Sequence, residues 1–297
     1  MSVGYTSRRF SPPHAPLLAV LLGLLSACAQ ENKVSRGPMM SARQSVVDGS
    51  DAVSPVTQAG VQAASTAANQ VTGQVTRQKI QFAGSRGDVV PGYLWVPRGT
   101  PGKRYPGIIV MYGITGNKDD GGVAEASQIL ANSGFVAMTL DWPGTGDRLP
   151  PIKKSDRVTD PRVKDWTVDD YGAALNWLSA RPEVDPQRLG YAGASMGAMT
   201  GLAFAKRDQR IRAVVAMVPI PVPLLWGSDD PSLSIGAVAP RPVLCIMATG
   251  DSAGPAVCNN AGPNSEKMTL QDGHELSGSR VQAANAARNF FIRHLGR

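Results

Sequence analysis

Residues 107–112, 135–140, 211–218 and 243–248 are apolar at nearly every position. Each run is too short for an ordinary helix, and none alternates as a strand with one wet face does. Continuous apolar runs of this length suit strands covered on both faces, the condition of a parallel sheet. Stretches with helical periodicity follow, at 123–131, 168–178, 196–206 and 281–294. In the second of these, Ala173, Ala174, Trp177 and Leu178 share a face; in the last, Ala284, Ala287, Phe290 and Phe291 do. Strand and helix alternating in this way predict an α/β fold: a mostly parallel, doubly wound sheet with helices on both faces. Ahead of it, residues 79–82 and 89–96 read as an antiparallel pair around the turn 84–87, and two further short strands are expected at 189–192 and 268–270.

The chain before this domain has a different character. Arg8 and Arg9 precede an apolar stretch, 15–25, which leads into Ser26, Ala27 and Cys28. A positive start, a short apolar centre and small residues at its end make a secretory signal, and the stretch is short for a membrane span. Leu25-Ser26-Ala27-Cys28 resembles the lipobox of bacterial lipoproteins. That resemblance implies a lipidated Cys28 as the new N-terminus, and Ala29 after it implies an outer membrane location facing the periplasm. From Cys28 to Val75 Ala, Ser, Gln, Thr and Val dominate and no aromatic residue occurs, so this segment lacks the large apolar groups that offset chain entropy. The expected organisation is a signal segment at 1–27, a tether at 28–75 and one domain at 76–297. Of the three cysteines, Cys245 and Cys258 then remain in an oxidising compartment. They could pair, or Cys245 could be a small buried hydrophobe in its apolar run.

The formal net charge of +7 includes Arg8 and Arg9. No run of Lys and Arg reads as a nucleic-acid footprint. Neither a G-x-G-x-x-G nor a P-loop occurs, so no cofactor is expected. Three scattered histidines with no Cys and His cluster predict no metal site.

Gly193-Ala194-Ser195-Met196-Gly197 fits G-x-S-x-G, a common pattern whose meaning depends on context. Here it follows an expected strand and opens an expected helix, the setting in which the serine stands on a tight turn above a sheet. A serine hydroxyl needs a base to act as nucleophile. His14 lies in the signal segment and His294 on the last helix. His274, on the loop between the last strand and the last helix, is the candidate base. The third group orients the imidazole and follows the serine in chain order. Asp251, just after the run 243–248, is the candidate, with Asp229 and Asp230 as rivals; Asp272 and Glu275 flank His274 as turn residues. The developing oxyanion needs two backbone N–H donors. Met196 is one, and Ile114, in the turn 113–116, is the candidate for the other.

With these residues in place, the span from about Thr76 to the end resembles the α/β-hydrolase superfamily and, within it, the dienelactone-hydrolase-like esterases. Asp141-Trp142-Pro143-Gly144-Thr145-Gly146 resembles that group's D-x-x-G-x-G turn, and residues 181–188 its approach to the serine. The resemblance implies the α/β-hydrolase fold and cleavage of a small-molecule carboxylic ester through an acyl-enzyme on Ser195. Three departures stand out: Ser195 replaces the cysteine of dienelactone hydrolase proper, Tyr112 occupies the place of the usual His, and Ala198 replaces a Gly. A serine peptidase of this fold, or a non-catalytic envelope binding lipoprotein on the same scaffold, are the alternatives. The connection 149–165 holds Lys153, Lys154, Arg157, Arg162 and Lys164 against three acids. Read as a long loop, it either borders the pocket and favours anionic esters or is a solvated surface loop.

Overall fold

The structure, a computed structural model, describes residues 70–72, 75–99 and 102–296. The signal segment, Cys28 and the expected tether before residue 70 lie outside the described residues.

Among the described residues nine strands form one sheet: β1 (Gln70–Thr72), β2 (Val75–Ala83), β3 (Val89–Pro97), β4 (Tyr105–Met111), β5 (Val136–Leu140), β6 (Val184–Ala194), β7 (Ile211–Met217), β8 (Val243–Ala248) and β9 (Ser265–Leu270). Their order is β1-β2-β3-β5-β4-β6-β7-β8-β9. Pairing is antiparallel from β1 to β5 and parallel from β5 to β9. The apolar runs are the central strands: β4 and β5 are buried at every residue. The chain moves outward from β4 in both directions, to β5 on one side and β6 on the other. Ligands of open parallel sheets bind in the crevice at such a switch point, beyond the carboxyl ends of the strands.

The helices are α1 (Gly121–Asn132), α2 (Lys154–Thr159), α3 (Pro161–Ser179), α4 (Met196–Arg207), α5 (Pro223–Trp226), α6 (Pro231–Ala237), α7 (Gly254–Cys258) and α8 (Arg280–Leu295). α1 packs on α8, whereas α3 and α6 both pack on α4. Right-handed crossovers put these two groups on opposite faces of the sheet.

Gln70–Thr72, placed in the tether by the sequence reading, form β1 and pair with β2, so the sheet begins before residue 76. Two regions further along also differ from the sequence expectation. The connection 149–165 is not an open loop: it contains α2 and the first turn of α3. The Asp160 carboxylate accepts the Arg162 N–H (2.9 Å) and Pro161 takes the first helical position. The second is α6, which begins in the same way, Asp230 capping the Ser232 N–H (2.9 Å) ahead of Pro231. Cys245 and Cys258 form a disulfide. Both are wholly buried, so Cys245 is at once a core residue of β8 and a bridge to the end of α7.

Candidate active site

β6 ends at Ala194 and α4 begins at Met196, which leaves Ser195 alone in the turn. Its φ of 51° and ψ of −118° are disfavoured for a residue with a Cβ, and such strain persists only where the surroundings enforce it. Ser195 N donates to Met217 O (2.9 Å) and Gly197 N donates to Tyr112 O (3.0 Å), so the turn is tied to β7 and to the end of β4. The two motif glycines are sterically required. A Cβ on Gly193 would stand 2.4 Å from the Gly197 backbone, and one on Gly197 would stand 2.7 Å from Tyr112 O.

His274 arrives on the loop after β9, with Nε2 2.8 Å from Ser195 Oγ and Nδ1 2.6 Å from Asp251 Oδ2. Asp251 follows β8, and its other oxygen accepts the Ala253 N–H (3.0 Å). An ionised carboxylate can only accept, so Nδ1 carries the proton and Nε2 faces the serine hydroxyl as a free acceptor. Burial disfavours the charge on Asp251, but the bonds from His274 and the Ala253 N–H outweigh it and hold the carboxyl below its usual range. The two loops are laced together: Thr249 N donates to Leu270 O (2.9 Å) and Gly250 N to Asp272 O (2.9 Å). The Asp272 carboxylate in turn accepts the N–H groups of Gly273 (2.7 Å) and Gly278 (2.9 Å), which shapes the turn that presents His274.

The rival carboxylates are engaged elsewhere. Asp229 pairs with Lys164 (2.5 Å), Lys206 (2.8 Å) and Arg207. Asp230 is wholly buried, caps α6 and accepts the Val222 N–H.

Met196 N–H stands at the start of α4, where no intrahelical acceptor exists. In the turn after β4, Gly113 and Thr115 line the cavity at Ser195, while the carbonyl of Ile114 accepts Arg157 Nη1 (2.9 Å). Arg157 also donates to Gly144 O (3.0 Å) and Ile152 O (3.2 Å) through Nη2. This buried guanidinium pins the candidate oxyanion turn to the loop after β5, a role that a count of local charges could not suggest. Lys164 is likewise buried, Lys153 and Lys154 are exposed, and no residue from 149 to 165 lines the cavity. The reading of this segment as a charge selector bordering the pocket is therefore corrected.

Beneath the serine lies a buried relay of polar groups. Trp142 Nε1 donates to Tyr171 OH (2.6 Å), which bonds Thr200 Oγ1 (3.0 Å), which donates to Met196 O (2.9 Å). Burial pushes the Tyr171 hydroxyl up to about 12, so it stays a donor at any working pH. Tyr112, in the place of the usual His, accepts the Trp142 N–H (2.9 Å) and bonds Thr145 Oγ1 (2.9 Å). It thereby braces the D-x-x-G-x-G turn.

A serine lifted on a strand-to-helix turn at the switch point, served by residues from the next strand ends, belongs to the α/β-hydrolase fold. Residues 90–268 match the dienelactone hydrolase family, and the chain belongs to that family. It has the fold of a cold-adapted esterase from an Arctic intertidal metagenomic library, with a TM-score of 0.64 and 20% identity over 78% of this chain and 99% of that one. It is 28% identical over 178 residues to a bis(hydroxyethyl) terephthalate hydrolase of Streptomyces coelicolor, covering 58% of this chain and 48% of the relative. It is also 28% identical over 153 residues to the thiohydrolase apmlB of Arthrinium phaeospermum, covering 49% and 44%. The chain thus spans less than half the length of these last two relatives.

Proposed function

We propose that the protein is a serine hydrolase that cleaves a carboxylic ester through an acyl-enzyme on Ser195. The observation that carries this reading is the continuous line Ser195 Oγ, His274 Nε2, His274 Nδ1, Asp251 Oδ2, with links of 2.8 and 2.6 Å. His274 takes the hydroxyl proton as Ser195 Oγ attacks the ester carbon, and Asp251 stabilises the imidazolium. The N–H groups of Met196 and Ile114 receive the oxyanion. His274 then returns the proton to the leaving alcohol. In the second half it deprotonates a water that attacks the acyl carbon, which frees the acid and restores Ser195. The membership in the dienelactone hydrolase family and the likeness to a bis(hydroxyethyl) terephthalate hydrolase support an ester as the substrate.

A panel of p-nitrophenyl esters and aminoacyl anilides, with a fluorophosphonate label, tests this. Ester turnover above anilide turnover, and one label on Ser195, are expected. Anilide preference would favour the peptidase, and an unlabelled, inactive protein the binding lipoprotein.

The same reading places the enzyme in the bacterial envelope, anchored through lipid on Cys28, on the strength of the sequence around that residue. The mature chain is expected to begin at Cys28 and to partition into detergent, and Cys28→Ser to release active enzyme into the aqueous phase. Mass spectrometry showing an unmodified N-terminus elsewhere overturns the anchor.

A further inference from the structure

A cavity of about 120 Å³ is lined by Ser195, His274, α1, α8 and the sheet. On α1, Val123, Ala126 and Leu130 face it, spaced by three and four residues and so on one side of the helix. On α8, Ala283, Ala284 and Ala287 do the same. The sheet contributes Val110 and Ala192, which are register partners on β4 and β6. Ala192 lies three residues before Ser195, so the cavity reaches about 10 Å below the serine.

The charged side chains on its wall are at the mouth. Asp120 and Arg280 stand where α1 and α8 begin, and Glu275 is next to His274. Apart from these, Ser195, His274, Tyr112 and Thr115, the wall is apolar or glycine, and its Leu130 and Ala287 are buried. The width of the channel is set by alanines. Three consecutive inward positions of α8 carry a single methyl where larger side chains would close the gap between the helices. An apolar recess of this kind stays dry and accepts hydrocarbon.

We propose that this recess is the acyl-chain site, taking the straight saturated chain of an ester of about five or six carbons, a proposal that rests on the serine-esterase reading above. The length follows from volume, since a cavity of about 150 Å³ takes up benzene and this one is slightly smaller. A volume this small drawn out over about 10 Å along β6 suits an unbranched chain better than an aromatic or sugar ring. The assignment to acid rather than alcohol follows from the order of release. The alcohol leaves first, with the proton from His274, and needs an open path through the mouth. The acyl group waits on Ser195 Oγ for water, and an apolar recess beneath the serine holds it in place through that step.

The test measures kcat/KM on p-nitrophenyl esters from acetate to dodecanoate, and on hexanoyl esters of alcohols from methanol to octanol. In the unmodified enzyme kcat/KM should rise from acetate to about hexanoate and fall beyond it. Ala284→Leu, which fills the channel, should lose at least 10-fold on hexanoate relative to acetate, since single methylenes in apolar pockets are discriminated by about 10–200-fold. It should leave the ranking of alcohols unchanged. Leu130→Ala, which deepens the channel, should move the optimum to longer acids, and it decides the matter if Ala284→Leu does not fold. Fluorophosphonate labelling of each variant separates the two levels of the argument. Labelled enzymes with flat acyl-chain profiles, or with a shifted alcohol ranking, overturn the acyl site alone. Absence of labelling and turnover in the unmodified protein overturns the esterase reading with it.

Discussion

Ser195→Ala should lower kcat by about a million-fold, with little change in KM, because triad members act as one unit. His274→Ala should cost nearly as much, and the double variant no more than either alone. The geometry gives the reason. With Oγ removed, the imidazole has no proton to take; with the imidazole removed, the hydroxyl 2.8 Å away is an ordinary alcohol. Asp251→Asn should cost about 10⁴-fold. An amide at that position donates as well as accepts, and Nδ1, now 2.6 Å from the carboxylate, would be turned toward the wrong tautomer. Steady-state rates of the three single variants and the double, on one activated ester, check this. Additive losses in the double variant, or a Ser195→Ala protein retaining more than about a hundredth of the activity, would sink the assignment.

How much of this could be read without coordinates varies with the range of the forces involved. The central strands were legible because burial on both faces leaves no place for a polar residue, so their apolar runs are explicit. Ser195 was legible because the turn demands glycines on both sides, and the clash distances at Gly193 and Gly197 show that demand to be steric. His274 and Asp251 could be named by position after a strand. The start of α3 and the whole of α6 were missed because their faces are too polar or too short to show a period. Their signal was local, the Asp-Pro pairs 160–161 and 230–231, each a cap followed by a residue already fixed at helical φ. Arg157 and Lys164 were misread as surface charge. Their environment is made by segments distant in sequence, Ile114 and Gly144 for one and Asp229 for the other, and no local pattern encodes such partners. The disulfide stood open for the same reason: spacing alone does not state a distance.

Breaking the Lys118 and Asp141 pair should be among the costliest structural changes outside the catalytic residues. Asp141 is wholly buried and accepts four bonds' worth of donors from two residues and a third side chain. Lys118 N (3.0 Å) reaches one oxygen, while Lys118 Nζ (2.8 Å) and Asp147 N (2.9 Å) reach the other; Arg148 bonds its carbonyl (3.3 Å). Lys118 is equally buried, and although burial works against its charge, the bonds to Asp141 and Asp147 raise its pKa above the usual lysine value. Asp147 is largely exposed and cannot replace Asp141 as the counter-charge. Removing one member of such a pair leaves a desolvated charge and costs about 3–5 kcal/mol. For a domain of this size that is a fall in Tm of roughly 10 °C for Asp141→Ala. Replacing both, as Lys118→Met with Asp141→Leu, should recover part of the loss, because no buried charge then remains. Activity should follow a different course. Lys118 follows the candidate oxyanion turn and Asp141 opens the loop braced by Tyr112 and Arg157, so the pair ties the turn at 113–116 to the end of β5. The double variant should therefore regain Tm and still show a reduced kcat with KM nearly unchanged. Calorimetry and steady-state kinetics on the two proteins measure both. A double variant that regained kcat along with Tm would mean that the pair serves the fold alone, and that the oxyanion turn is held by other bonds.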